Sequence, residues 1–140
     1  MAWPHPAWAV DLRPFLANSS RPIKVLHPCA GLNAPERAAR ELQMRWVSSG
    51  DYEVNPALAA TLRKVSSNAD QLHVGAMDGD ILAVDVSTLD LETDAVISGP
   101  PCPPFSSIGK RLIECDMRSC VFIAVMHWIV YLATSGMLAF

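Results

Sequence analysis

Residues 94–118 read DAVISGPPCPPFSSIGKRLIECDMR, and the rest of the chain is best interpreted outward from this stretch. Its first five residues form a mostly apolar run that ends at Gly99, which predicts a short buried strand. Pro100 and Pro101 then end the strand, because proline has no N–H group to donate to a neighbouring strand. Cys102 therefore follows a rigid corner at the carboxyl end of a strand, the edge of an α/β sheet at which ligands bind.

The thiol of Cys102 has two interpretations, because a lone cysteine is more often a small buried hydrophobe than a nucleophile. The motif around it favours the nucleophile. GPPCPPFSSIGKR, at residues 99–111, resembles the Pro-Cys motif of cytosine-5 DNA methyltransferases, in which Gly-Pro-Pro-Cys-Gln precedes Phe-Ser and a Gly. Pro103 stands where the family most often has Gln, and Asp116 and Arg118 are similar to its Asp-x-Arg. The resemblance implies that the Cys102 thiolate adds to carbon 6 of cytosine, so that carbon 5 can accept a methyl group.

A strand, a tight turn and a helix precede this motif near the amino terminus. Residues 23–26 predict the strand, and residues 34–42 predict the helix, with Leu42 on its apolar face. Gly31 and Asn33 lie in the turn between them, and both residue types tolerate positive φ. The turn is similar to the family's Phe-x-Gly-x-Gly cofactor loop, with Asn33 at the second Gly.

Two acidic residues follow further predicted strands. Glu53 ends a strand over residues 47–52, roughly twenty residues past the turn, where an acid accepts hydrogen bonds from ribose hydroxyls. Asp80 follows a third strand at residues 72–75, and the resemblance implies that its carboxylate accepts a hydrogen bond from the adenine amine. The implied cofactor is S-adenosylmethionine, and the implied contacts are Gly31, Asn33, Glu53, Asp80, Ile81 and Pro100.

The nucleic-acid contacts implied by the resemblance lie after the Pro-Cys motif. Lys110, Arg111 and Arg118 form the most basic local group, and the implied DNA contacts are Ser106, Lys110 and Arg118. A net charge of −3 is not typical of a free-standing DNA-binding protein, so most of the contacts with DNA are expected to come from outside this chain. One tRNA-acting branch of the family shares the Cys-x-Pro-Phe pattern of residues 102–105, so tRNA stays an alternative substrate.

The carboxyl-terminal stretch also has two interpretations. Residues 121–140 contain no charged side chain, and this length fits a membrane-spanning helix of about twenty apolar residues. The resemblance implies instead a helix that covers one face of the sheet. A non-catalytic or membrane-anchored fragment is therefore the alternative to an enzyme, although membrane insertion is the less favoured of the two interpretations.

Length and composition predict one folded domain, since 51% of the 140 residues are hydrophobic and 18% are charged. The resemblance implies a partial doubly wound, Rossmann-like α/β fold, truncated after about four strands. Residues 1–22 are expected to be an irregular leader and residues 23–140 a partial catalytic domain. The four cysteines lack the spacing of a metal site, so no metal is expected.

The family's Glu-Asn-Val motif, which stabilises the cytosine adduct, does not occur in these 140 residues. We therefore expect little or no turnover from this chain alone. The cysteine pattern and the absence of a signal-peptide pattern predict an intracellular location, and the nucleus if the source is a eukaryote.

Overall fold

The central sheet is parallel in the computed structural model, which describes residues 21–101 and 118–135. Its strands are β1 (Ile23–Pro28), β2 (Trp46–Glu53), β3 (Leu72–Val74) and β4 (Ala95–Val96), in the order β3-β2-β1-β4. The helices among these residues are α1 (Ala34–Glu41), α2 (Ala59–Val65) and α3 (Ser119–Thr134). The predicted α/β class and the four predicted strands are confirmed.

Strand β2 contains a β-bulge where its sequence is least typical of a strand. Val25 pairs with Ser48 and Leu26 pairs with Gly50, so Ser49 is the extra residue. The Ser48 hydroxyl accepts a hydrogen bond from the Gly50 N–H at 3.1 Å, which satisfies a donor inside the bulge. A Cβ atom at Gly50 would lie 2.8 Å from Leu26 Cδ1, so only glycine fits there without a shift. The small and polar residues thus shape β2 rather than interrupt it.

The two faces of the sheet carry different kinds of residue. Leu26 and His27 are neighbours in β1, and their side chains point to opposite faces because strand residues alternate. Helix α3 covers the Leu26 face, where Trp128 meets Tyr52 edge-on with ring centroids 5.0 Å apart. The buried core on this face consists of Leu26, Tyr52, Ile81, Leu89, Val125, Trp128 and Leu132. Helix α1 covers the opposite face, on which His27 lies.

Helix α1 begins at the predicted residue and ends one residue early. Of the apolar face predicted over Ala38, Ala39 and Leu42, only Ala39 is buried. Leu42 is 61% exposed, whereas Glu36 and Ala39 are buried. Glu36 turns inward because its carboxylate accepts a hydrogen bond from the Asn33 side chain at 2.8 Å. A buried polar contact, rather than an apolar stripe, therefore sets the orientation of α1.

The connection between β3 and β4 is acidic and polar over residues 84–94, but it is not solvated throughout. Leu89 packs into the core and Thr93 is buried. The Thr93 hydroxyl lies 2.8 Å from the hydroxyl of Ser49 in the β2 bulge. The crossover is thus fastened to the sheet at its carboxyl end.

Helix α3 starts two residues before the predicted stretch of residues 121–140, and residues 136–140 lie outside the described part of the chain. Its sixteen residues bury Val125, Trp128 and Leu132 against the sheet. Within residues 21–101 and 118–135, no helix has both the length and the apolar character needed to cross a membrane. The expected leader falls almost entirely within residues 1–20, which are also outside the described residues.

Candidate functional site

A cleft of roughly 200 Å³ opens at the carboxyl ends of the strands. Its walls come from the turn after β1, the end of β2, the loop after β3, the residues after β4 and the first turn of α3. The cleft brings together four of the residues predicted from the sequence to bind a cofactor: Gly31, Glu53, Asp80 and Ile81. Ligands of open parallel sheets bind at this edge, because several loops converge there.

The turn after β1 adopts positive φ at three alternate residues. The φ angles are 63° at Cys29, 57° at Gly31 and 53° at Asn33. The expectation that Gly31 and Asn33 accommodate positive φ is confirmed, whereas Cys29 was not foreseen. The Ala30 N–H donates to the carbonyl oxygen of Tyr52 at 2.8 Å, so the turn is tied to the end of β2.

Two backbone N–H groups hold the Glu53 carboxylate in the cleft. Gly31 donates to Oε2 at 2.9 Å, and Asn55 donates to Oε1 at 2.9 Å. Each carboxylate oxygen can accept a second hydrogen bond. Glu53 is therefore oriented by the protein and can still accept hydrogen bonds from a ligand.

Asp80 and Ile81 form the wall contributed by the loop after β3. The Leu82 N–H donates to Asp80 Oδ1 at 3.0 Å, which orients this second carboxylate. Ile81 is 5% exposed and belongs both to the cleft lining and to the core. A ligand with hydrogen-bond donors and an apolar surface matches two carboxylates beside an apolar wall.

The structure does not bring the other two predicted cofactor residues into the cleft lining. Asn33 is completely buried, and its side chain points toward α1 and β2. Pro100 does not line the cleft, although Gly99 and Pro101 on either side of it do. The turn after β4 thus contributes Gly99 and Pro101 to the cleft wall, rather than the predicted Pro100.

Three of the four predicted catalytic and nucleic-acid residues lie beyond the part of the chain that the structure describes. Cys102, Ser106 and Lys110 lie outside the described residues. Arg118 is described and forms the N-cap of α3. Pro101, the residue before Cys102, lines the cleft, so the chain leaves the described structure at the rim of the site.

The Cys29 thiol forms a neutral part of the cleft wall. Burial raises the pKa of Cys29, and the negative charges of Glu53 and Asp80 raise it further, against the opposing effect of a hydrogen bond with Ser98. A raised pKa keeps the thiol protonated, and a protonated thiol is a poor nucleophile. Burial likewise raises the pKa of Tyr52, with a further contribution from the charge of Asp78.

Sequence reasoning missed the contacts among a set of side chains beneath the turn, four of them buried and Ser66 half-buried, which we call the buried polar cluster: His27, Asn33, Glu36, Asp51 and Ser66. His27 Nδ1 lies 2.8 Å from Asp51 Oδ1, and the Ser66 hydroxyl donates to Asp51 Oδ2 at 2.5 Å. Titratable residues inside predicted buried strands were the available signal, since such groups are rarely buried without a partner. In the described ranges, no three His, Cys, Asp or Glu residues are grouped so as to hold a metal ion.

The strand order, the helices on both faces and the cleft at the carboxyl edge define a doubly wound α/β domain, a class in which ligands bind at this edge of the sheet. The sequence model of the family described as C-5 cytosine-specific DNA methylase matches residues 42–134, about two thirds of the chain. The chain belongs to this family. The matched range includes Glu53, Asp80 and Cys102 and begins after the turn that carries Gly31. No curated protein and no solved structure matches the chain.

Proposed function

We propose that this chain binds S-adenosylmethionine in the cleft and serves the transfer of its methyl group to carbon 5 of cytosine in DNA. The observation that carries the proposal is the convergence of Gly31, Glu53, Asp80 and Ile81 on one cleft, in a chain of the cytosine-5 methylase family. Neither residue type nor spacing alone would make these four residues neighbours.

The cleft fits the functional groups of this cofactor. The Glu53 carboxylate, held by the N–H groups of Gly31 and Asn55, accepts hydrogen bonds from the two ribose hydroxyls. Asp80 accepts a hydrogen bond from the adenine amine, and Ile81 provides an apolar surface for the ring. When bound, the cofactor supplies a methyl group on a positively charged sulfur.

Cys102 is proposed as the nucleophile, because it directly follows Pro101 at the rim of the cleft. Its thiolate forms a bond to carbon 6 of a cytosine that has been flipped out of the duplex. Carbon 5 then gains electron density and would take the methyl group, while the cofactor's sulfur would keep the electron pair of the broken bond and leave as a neutral thioether. Transfer of the carbon 5 proton to water and cleavage of the bond between carbon 6 and the Cys102 sulfur restore the aromatic ring and the thiolate.

This chain is proposed to bind cofactor with little or no turnover of its own. The Glu-Asn-Val motif, which the resemblance associates with stabilising the cytosine adduct, is not among the 140 residues. The Cys29 thiol in the cleft is not proposed as a nucleophile, since burial raises its pKa and keeps it protonated.

Isothermal titration of the folded chain with S-adenosylmethionine tests the proposal. We expect saturable binding, and we expect Glu53→Gln and Asp80→Asn each to weaken it by about tenfold, the usual cost of one charged hydrogen bond. Asp70→Asn is the matched control, because Asp70 is an exposed carboxylate outside the cleft. A folded wild-type chain that does not bind, or cleft variants that bind as tightly as Asp70→Asn, would overturn the proposal.

The nucleic-acid substrate is a separate question, because residues 102–105 also match a tRNA-acting pattern. The chain can be titrated with duplex DNA and with tRNA at low ionic strength in the presence of cofactor. The proposal expects the tighter complex with DNA. If tRNA binds more tightly than DNA, and if substitution of Lys110 weakens the tRNA complex, the chain would instead be assigned as an RNA methyltransferase.

A further inference from the structure

The turn after β1 is held on two sides by different kinds of contact. On the cleft side, the Gly31 N–H donates to the Glu53 carboxylate at 2.9 Å. On the opposite side, the Asn33 side chain enters the buried polar cluster and is 0% exposed. A Cβ atom at Gly31 would meet nothing within 4 Å, so packing does not fix the position of the turn there. The contacts of Asn33 are therefore well placed to do so.

The Asn33 amide connects α1 to β2. Its Nδ2 atom donates to Glu36 Oε2 at 2.8 Å and lies 3.3 Å from Asp51 Oδ2. Asp51 is anchored in turn by His27 of β1 at 2.8 Å and by the Ser66 hydroxyl after α2. One amide thus joins the turn to the rigid centre of the fold.

The charges of the cluster explain why an amide suits position 33. Glu36 and Asp51 are 3% and 0% exposed, and both accept hydrogen bonds from the same Nδ2 atom. Burial raises the pKa of Glu36, the charge of Asp51 adds to this, and donors at Ser67 and Asn33 together with Arg40 oppose it. A carboxylate has no proton to donate at neutral pH, and an aliphatic side chain has none at any pH. Asparagine also tolerates the left-handed conformation that the turn requires.

We infer that Asn33 is a positioning residue for the ligand in the cleft. Its amide, held between Glu36 and Asp51, sets the turn so that the Gly31 N–H meets the Glu53 carboxylate and aims it into the cleft. The inference rests on the proposed function for the identity of the ligand, S-adenosylmethionine. It replaces the expectation that Asn33 contacts the cofactor directly.

Two substitutions in the full chain separate the amide from the backbone conformation. Asn33→Gly keeps positive φ and removes both hydrogen bonds. We expect the dissociation constant for S-adenosylmethionine to rise about tenfold and exchange of the Gly31 amide hydrogen to accelerate about tenfold, because the two lost hydrogen bonds no longer hold the turn. Gln43→Gly is the control, because Gln43 also has a positive φ of 56°, is exposed and lies outside the cleft, so this variant should leave both quantities unchanged.

Asn33→Asp tests the role of the amide through the pH dependence of cofactor affinity, which a general loss of stability would not change. It places a third carboxylate in a site faced by His27 of β1, Asp51 of β2, Glu36 and Arg40 of α1, and the Ser66 hydroxyl. At about pH 8 this variant should lose affinity, because its ionised group cannot donate. Near pH 6 the crowded carboxylates favour protonation, so we expect part of the affinity to return relative to wild type.

Each outcome decides the inference. A folded Asn33→Gly variant with wild-type affinity and wild-type Gly31 exchange would overturn it. If that variant does not fold, the comparison of Asn33→Asp at two pH values decides, and a loss that does not change with pH contradicts the inference. If the wild-type chain does not bind S-adenosylmethionine, the proposed function is wrong, and the exchange rate of the Gly31 amide alone still tests the role of Asn33.

Discussion

Gly79 packs so closely against Glu53 that a Cβ atom at position 79 would overlap the Glu53 carbonyl oxygen. The same oxygen accepts a hydrogen bond from the Gly75 N–H at 2.9 Å, and the Gly79 N–H donates to Gly75 at 2.8 Å. The loop that carries Asp80 is thus clamped onto the end of β2. This contact sets the separation of the two cleft carboxylates, Glu53 and Asp80.

Gly79→Ala is therefore expected to displace the loop and weaken the cleft. The methyl group cannot be accommodated without moving backbone, which typically costs about 1–3 kcal/mol of unfolding free energy. Urea denaturation gives this quantity, and cofactor titration reports the displacement of Asp80. Gly99→Ala is the steric control, because its Cβ atom would approach nothing closer than 4.0 Å. Equal stability of the two variants would contradict the clamp.

Cofactor should protect Cys29 from alkylation, because the thiol lines the cleft. Burial raises the pKa of Cys29, so labelling by iodoacetamide should be slow at neutral pH and should accelerate as the pH rises and more thiolate forms. Mass spectrometry of the digested protein measures the rate at each cysteine. Cys120 is an exposed internal reference on α3, outside the cleft. Labelling of Cys29 that saturating S-adenosylmethionine leaves unchanged would place the ligand elsewhere.

Two positions on α3 should differ sharply in their effect on stability. Trp128 is 1% exposed and packs against Tyr52, so Trp128→Ala should cost about 3–5 kcal/mol of unfolding free energy. Val130 on the same helix is 54% exposed, and Val130→Ala should change stability by no more than about 0.5 kcal/mol. Chemical denaturation monitored by circular dichroism measures the unfolding free energy of both variants. Similar losses at both positions would mean that α3 packs on the sheet through a different face.

Asp94 should make the fold sensitive to acid. Burial alone would raise its pKa, but the side-chain hydrogen bond with Arg21, the Lys24 N–H and the positive charges of both residues together lower it. The stabilisation by ionised Asp94 is therefore present above its unfolded-state pKa of about 3.9 and is lost as the pH falls through the lower, folded-state pKa. Melting temperatures of wild type and Asp94→Asn should differ at neutral pH and converge in strong acid.

Arg21 provides the control for this prediction. Its guanidinium group donates to both Asp94 oxygens, at 2.7 and 2.6 Å, but the pair is largely exposed, so the effect on melting should be modest. In an Arg21→Gln background, Asp94→Asn should lower the melting temperature less than it does in wild type. An undiminished effect would assign the stabilisation to the Lys24 N–H, which donates to Asp94 at 2.9 Å.

Local signals in the sequence were sufficient to predict the four strands and the positive φ of Gly31 and Asn33, whereas the class of fold was predicted from the family resemblance. Periodicity and turn chemistry act over a few residues, so a single sequence reports them. They also placed Glu53 at the end of a strand. The side-chain direction of α1 could not be obtained in this way, because Glu36 is held inward by Asn33, whose amide is held in turn by Asp51 of β2.

The amino-acid sequence by itself determined which residues are candidates for the family's chemistry, through the resemblance: the acid that ends β2, the acid in the loop after β3, and the cysteine after two prolines. Tertiary structure alone decided which of them meet. The cleft forms because parallel strands bring their carboxyl ends to one edge, so residues far apart in the chain become neighbours. The role proposed for Asn33 also depends on tertiary structure, because folding buries its amide between Glu36 and Asp51, where it donates hydrogen bonds to both carboxylates.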